Sequence, residues 1–172
     1  MLRANSLSCY HDARGVTRLA APDFMGIALA EAKAAAEAGE VPVGCVIADA
    51  AGVIVSRGQN TRERSRSALG HAELFAIDEA CRARGDWRLD DCTLFVTLEP
   101  CPMCTGAIIN ARIGRVVFGA REERFGSCGS VVDLFSENYG FHPAVYKGVL
   151  EDECQALMER FFKTMRKKYA QK

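Results

Sequence analysis

From Phe24 onward the apolar positions fall into alternating stretches of helical and strand-like period. Phe24, Ile27, Ala28 and Ala35 recur at helical spacing in an Ala-rich run that Gly39 is placed to end, which predicts a helix over 24–38. Val41 to Ala48 and Val53 to Arg57 are strand-like runs joined across Asp49, Ala50, Ala51 and Gly52, the pattern of a hairpin. The polar stretch from Gln59 to Ser67 is expected to be a loop. A second helix is predicted over 71–84, with Leu74, Ile77 and Cys81 on one face and Gly85 as its stop. A buried strand at 92–97 follows, then a third helix whose Cys104, Ala107, Ile108 and Ala111 share a face, then a strand at 115–120.

The remaining pattern predicts a short helix at 130–136, a strand at 144–150 and a terminal helix at 151–169. In that last helix Cys154, Leu157, Met158, Phe161, Phe162 and Met165 keep an i, i+3, i+4 stripe. Five strands interleaved with helices predict an α/β protein, a three-layer α/β/α sandwich around a central, mostly five-stranded mixed sheet. Residues 1–22 carry no sustained period and are expected to be a loosely ordered tail, with residues 23–170 forming a single domain.

A length of 172 residues suits one domain with a core that needs no staples. Lys plus Arg and Asp plus Glu both total 22, so whole-chain charge gives no case for or against a nucleic-acid partner. No apolar run approaches the ~20 residues that span a bilayer, and the N-terminus has no signal-like run, so no membrane partner is expected. Six of the eight cysteines are scattered rather than arranged as a secreted framework, which points to a reducing cytoplasm. Only Cys101 and Cys104 form a ligand-like pair.

His71-Ala72-Glu73 and Pro100-Cys101-Pro102-Met103-Cys104 each open a predicted helix directly after a loop. In an open α/β fold such helix starts face the ligand crevice at the strand ends. One imidazole and two thiolates supply the three protein donors of a catalytic zinc, whose fourth position is left to water. The three-residue spacing puts the two sulfurs on neighbouring helical positions, where first-turn amides favour thiolates. These residues therefore predict one Zn²⁺ per chain, held by His71, Cys101 and Cys104. Glu73, not itself a ligand, is then placed to take a proton from water and return it to the departing amine.

H-x-E combined with P-C-x-x-C is the general signature of zinc nucleobase deaminases. Each half alone is uninformative, because C-x-x-C also serves redox pairs and half-sites of structural zinc. A closed structural site would need His11, His142, Cys92 or Cys128 as a fourth ligand, and none stands at a ligand-like spacing. A thiol–disulfide enzyme would leave His71 and Glu73 unexplained.

At Glu40-Val41-Pro42-Val43-Gly44 and Leu98-Glu99-Pro100-Cys101-Pro102-Met103-Cys104 the chain resembles the bacterial tRNA adenosine deaminases, the TadA family. The likeness runs from about Phe24 to Lys168 and takes in Asn60, Ala111-Arg112-Ile113, Val116 to Ala120, and Phe161-Phe162. The resemblance implies a cytidine deaminase-like fold, a homodimer, and conversion of the wobble adenosine to inosine in a tRNA anticodon loop. By position it implies that Asn60 contacts the target nucleotide and that the Ala72 backbone contributes a donor. Ser67-Ala68-Leu69-Gly70, Arg124-Phe125-Gly126-Ser127 and Phe141-His142-Pro143 depart from that pattern, the first in a loop expected to border the pocket.

For RNA, the local charge case is Arg160, Lys163, Arg166, Lys167, Lys168 and Lys172, with no acid among them. The same segment reads equally as a solvated helix face, with Phe161 and Phe162 in the core stripe. Arg112 either meets a phosphate or caps its helix, and Asn60 either reads a base edge or holds its loop. Cys45, Cys81 and Cys128 read as small buried apolar residues, and Trp87 as packing below the second helix. Deamination of tRNA adenosine is thus the expected activity, with deamination of free guanine, adenosine or cytosine as the alternative. A non-catalytic zinc RNA-binding module is the reading from another class, and the intact Glu73 speaks against it.

Overall fold

The computed structural model describes residues 9–11, 17–19 and 23–170. Strands β1 (Cys9–His11) and β2 (Thr17–Leu19) pair antiparallel as a two-stranded sheet of their own. The rest of the expected tail lies outside the described residues.

Helix α1 (Phe24–Glu37) is capped by Asp23, whose carboxylate accepts from the Gly26 N–H. Its buried stripe is Met25, Ala28, Leu29, Ala32 and Ala35. Ala28 and Ala35 of the expected stripe lie in it, whereas Phe24 and Ile27 pack only partly buried at its edge. Strands β3 (Gly44–Ala48) and β4 (Ile54–Gln59) form the predicted hairpin, followed by a four-residue helix α2 (Arg62–Ser65) where a plain loop was expected. Helix α3 (Ala72–Arg84), β5 (Thr93–Leu98), α4 (Pro102–Asn110) and β6 (Arg115–Ala120) then alternate. The predicted helix at 130–136 shrinks to one 3-10 turn, Leu134–Ser136, and the last strand, β7, to Ala144–Tyr146, before α5 (Glu151–Ala170).

The sheet order is β4-β3-β5-β6-β7, with antiparallel pairing up to β5 and parallel pairing beyond it. Successive side chains point to opposite faces of a strand. Cys45 and Ile47, Leu94 and Val96, and Val116 and Phe118 accordingly share one core with Ala76 and Ala80 of α3 and Ile108 of α4. Val46, Phe95 and Val117 point to the other core, with Ala28 and Ala32 of α1 and Cys154 and Leu157 of α5. This is the expected three-layer arrangement around a mixed sheet.

Helix α3 approaches the sheet closely because β4 offers Gly58, where a Cβ would stand 2.2 Å from the Ala72 carbonyl oxygen. Its buried face is Ala72, Glu73, Ala76, Ile77 and Ala80, so of the expected Leu74, Ile77 and Cys81 only Ile77 is buried, and the other two stand partly exposed. Ala72 and Ala76 face Gly58, where small side chains let the helix backbone come close to the sheet. Trp87 does not pack below α3: it is 59% exposed, with the Arg88 guanidinium 5.8 Å from its ring centroid.

Candidate active site

Parallel strands β5 and β6 end on the same edge of the sheet, where α3 and α4 begin. His71 is the residue before α3 and Cys101 the residue before α4, both with extended backbone. Neither side chain caps its own helix. Pro102 opens α4, where its missing N–H costs nothing and its fixed φ suits the first turn. The second sulfur, Cys104, follows in that turn and is fully buried.

The His71 Nδ1 lies 3.4 Å from the Cys104 sulfur and 3.7 Å from the Cys101 sulfur. All three donor atoms fall within 4.8 Å of one another. A tetrahedral zinc with Zn–S of about 2.3 Å and Zn–N of about 2.0 Å separates such donors by about 3.5 Å, so the residues fit that ion. Among the described residues no further His, Cys, Asp or Glu joins the group. His142 points its Nδ1 at the Phe135 carbonyl oxygen instead, and Cys128 is buried against Thr105. Three donors without a fourth is the open set of a catalytic zinc.

The charges at the cluster agree with a cation site. Contact with the Cys104 thiol, and then with the His71 ring, pulls the Cys101 thiol down to about 4. Contact with Cys101 raises His71, while the same contact, burial and the neighbouring Glu73 push Cys104 up. Thiolate and neutral imidazole are the forms that bind a dication, so a bound ion would displace protons from this cluster. Glu73, in the first turn of α3, is only 4% exposed, and burial raises its carboxyl.

A cavity of about 460 Å³ opens over the cluster, with His71, Glu73 and Cys101 at its floor. Ala72 lines it as the first residue of α3, where N–H groups have no partner within the helix. Asn60 lines it too and also holds the loop: its amide donates to the Val41 carbonyl oxygen and its carbonyl accepts from the Arg62 N–H. A larger groove of about 620 Å³ runs alongside, past Glu123, Glu151 and Arg166, but it does not contain the metal donors. The smaller cavity is the one with chemistry in it.

The cytidine and deoxycytidylate deaminase zinc-binding region matches residues 20–120. Over 146 residues, covering 84% of this chain and 90% of the relative, the sequence is 47% identical to the tRNA-specific adenosine deaminase of Bacillus subtilis (strain 168). The chain belongs to the tRNA-specific adenosine deaminase family. A structure from biochemical and structural studies of A-to-I editing by tRNA:A34 deaminases is 41% identical with a TM-score of 0.75, over 78% of this chain and 97% of that one. The guanine deaminase of Bacillus subtilis is 32% identical with a TM-score of 0.56, over 84% and 92% of the two chains. Zinc is therefore the family's metal, and the His71, Cys101 and Cys104 donors are positioned to hold it.

The family's other expected contacts divide. Phe162 lines the cavity, whereas Phe161 meets it edge-on at 5.5 Å between ring centroids and is not part of the cavity wall. Arg112 stands just past α4, with its guanidinium 5.4 Å from the Phe141 ring centroid and toward the Gly140 carbonyl oxygen, outside the cavity. Ser67 to Gly70 were expected at the border, but the wall there is Arg62 from α2. The loop turns behind it, with Gly70 pressed on the Arg62 backbone.

Two residues that sequence reasoning quoted without a role prove central to the walls. Glu40, 1% exposed, accepts from the Glu63 and Arg64 N–H groups at the start of α2. Glu99, 2% exposed, accepts from the N–H groups of Glu122, Cys128 and Ser130 and from the Ser130 hydroxyl. A carboxylate set in an apolar run was the available signal, since a buried charge needs partners.

Proposed function

We propose that this protein is a zinc-dependent hydrolytic deaminase that converts adenosine to inosine at the wobble position of tRNA. The observation that carries the reading is the three-donor cluster of His71, Cys101 and Cys104, two of whose members line one cavity with the buried Glu73 while Cys104 is buried beside them. Its 47% identity to a tRNA-specific adenosine deaminase, against 32% to a guanine deaminase, favours the RNA substrate.

When bound, zinc supplies Lewis acidity that makes water a nucleophile near neutral pH. Glu73 accepts one proton from the attacking water and passes it to a ring nitrogen, then takes the second proton from the new C–OH group and gives it to the departing amine. A C–O bond forms at the ring carbon, its C–N bond breaks, and ammonia leaves. Asn60 and the first-turn amide at Ala72 orient the base, and the apolar walls at Val43 and Phe162 keep bulk water out.

Residues 23–170 act as the single catalytic domain, working as a homodimer in the cytoplasm. The exposed apolar side chains of Leu69 and Phe75, which flank the start of α3, support pairing of two copies. Among the described residues no helix is long and apolar enough to cross a membrane.

Incubating the zinc-loaded protein with an anticodon stem-loop bearing a wobble adenosine, beside free guanine, adenosine and cytosine, tests this. Inosine in the stem-loop is the expected product. Ammonia from a free base or nucleoside alone would overturn the RNA reading.

A further inference from the structure

The loop after β6 carries Arg124 and Phe125 to the rim of the cavity, and both side chains line it. Phe125 is 60% exposed and Arg124 72% exposed. An aromatic ring held in water beside a cavity of about 460 Å³, which has room beyond one reacting base, is an unfilled contact surface.

The loop that presents it is fixed. The Glu99 carboxylate gathers the backbone of Glu122, Cys128 and Ser130, and the Ser127 N–H donates to the Pro100 carbonyl oxygen at 2.9 Å. Gly126, next to Phe125, lies so close to Glu99 that a Cβ would stand 2.6 Å from its carboxylate. Arg124 is steered from behind: its N–H donates to the Glu122 carboxylate at 2.9 Å, and its Nε lies 3.7 Å from the same oxygen. A ring on a stapled loop gives up little freedom on binding.

We propose that Phe125 and Arg124 form a subsite for the nucleotide next to the reacting base, the ring taking that base by stacking and the guanidinium taking its phosphate. Every base presents a π-face, so such a platform tolerates sequence while favouring a strand over a free base. Arg62, which also lines the cavity, adds a second cation for a backbone to meet. Glu99 is the positioning residue of this subsite. The inference rests on the RNA substrate proposed above.

Inosine formation is measured for the wild type, Phe125→Ala and Phe125→Tyr on a stem-loop with an intact loop and on two others, each abasic on one side of the target. On the intact loop Phe125→Ala is expected to raise KM by roughly tenfold or more, the scale of one lost base stack. Phe125→Tyr keeps the wild-type KM, and zinc content and thermal midpoint stay level across the three proteins. On one abasic loop the wild type falls to the level of Phe125→Ala, which falls no further. A wild-type KM for Phe125→Ala on the intact loop, or the same loss on both abasic loops as on the intact one, overturns the subsite. Wild-type protein that makes no inosine in any stem-loop, yet deaminates a free base, instead overturns the RNA reading, and the subsite with it.

Discussion

The floor of the cavity and its rim are built in different ways. At and just beneath the floor, His71, Cys101 and the buried Cys104 sit at two helix starts whose following turns are packed into the core. Their positions follow from backbone geometry that the sheet dictates. At the rim, Arg62 rides on α2, which buries none of its residues, and Phe125 on a loop in which Cys128 alone reaches the apolar core, so apolar anchorage is slight. Two buried carboxylates, Glu40 and Glu99, replace that anchorage by collecting backbone N–H groups. In the proposed reaction the packed part of the molecule thus sets the chemistry, and the part held through hydrogen bonds sets substrate fit.

Removing a floor ligand has the largest expected effect. His71→Ala is predicted to lose zinc and turnover together, read by metal analysis and inosine formation; full zinc content would show that the floor does not bind as described. Glu99→Gln breaks the rim while sparing the floor. The amide keeps one acceptor oxygen where the carboxylate had two, so about 1–3 kcal/mol of stability should go and KM should rise, with zinc retained. Denaturant unfolding and steady-state kinetics check both parts, and a fall in zinc content would erase the distinction between the two regions.

Gly58→Ala probes how far the floor depends on the approach of α3 to the sheet. The added methyl meets the Ala72 carbonyl oxygen, so a loss of about 1–3 kcal/mol is expected together with weaker zinc binding. Unchanged zinc affinity would mean the start of α3 is set by something other than that contact. Trp87→Ala, at an exposed position away from both regions, should change stability by no more than about 0.5 kcal/mol and leave kinetics alone.

The same division explains what could be read in the sequence. The strands at 44–48, 93–98 and 115–120 announce themselves as apolar runs because both faces of the sheet are covered. The metal donors were legible because zinc chemistry restricts residue types and spacing. Phe24 and Leu74 misled as to which helix faces are buried, since close packing on β3 and β4 selects Ala over larger apolar residues. The short α2 was hidden because Glu40, more than twenty residues upstream, supplies the acceptors at its start. Arg62 entered the wall by that long-range contact, and no local pattern in Gln59 to Ser67 reports it.

The central claim is that Glu73 carries the proton at an intact zinc floor. Glu73→Gln, nearly isosteric, separates that chemistry from folding and metal binding, and its inosine yield and zinc content are measured beside the wild type. Wild-type zinc content is expected, with turnover lower by ~100-fold or more. Turnover near the wild-type level with zinc in place would contradict it.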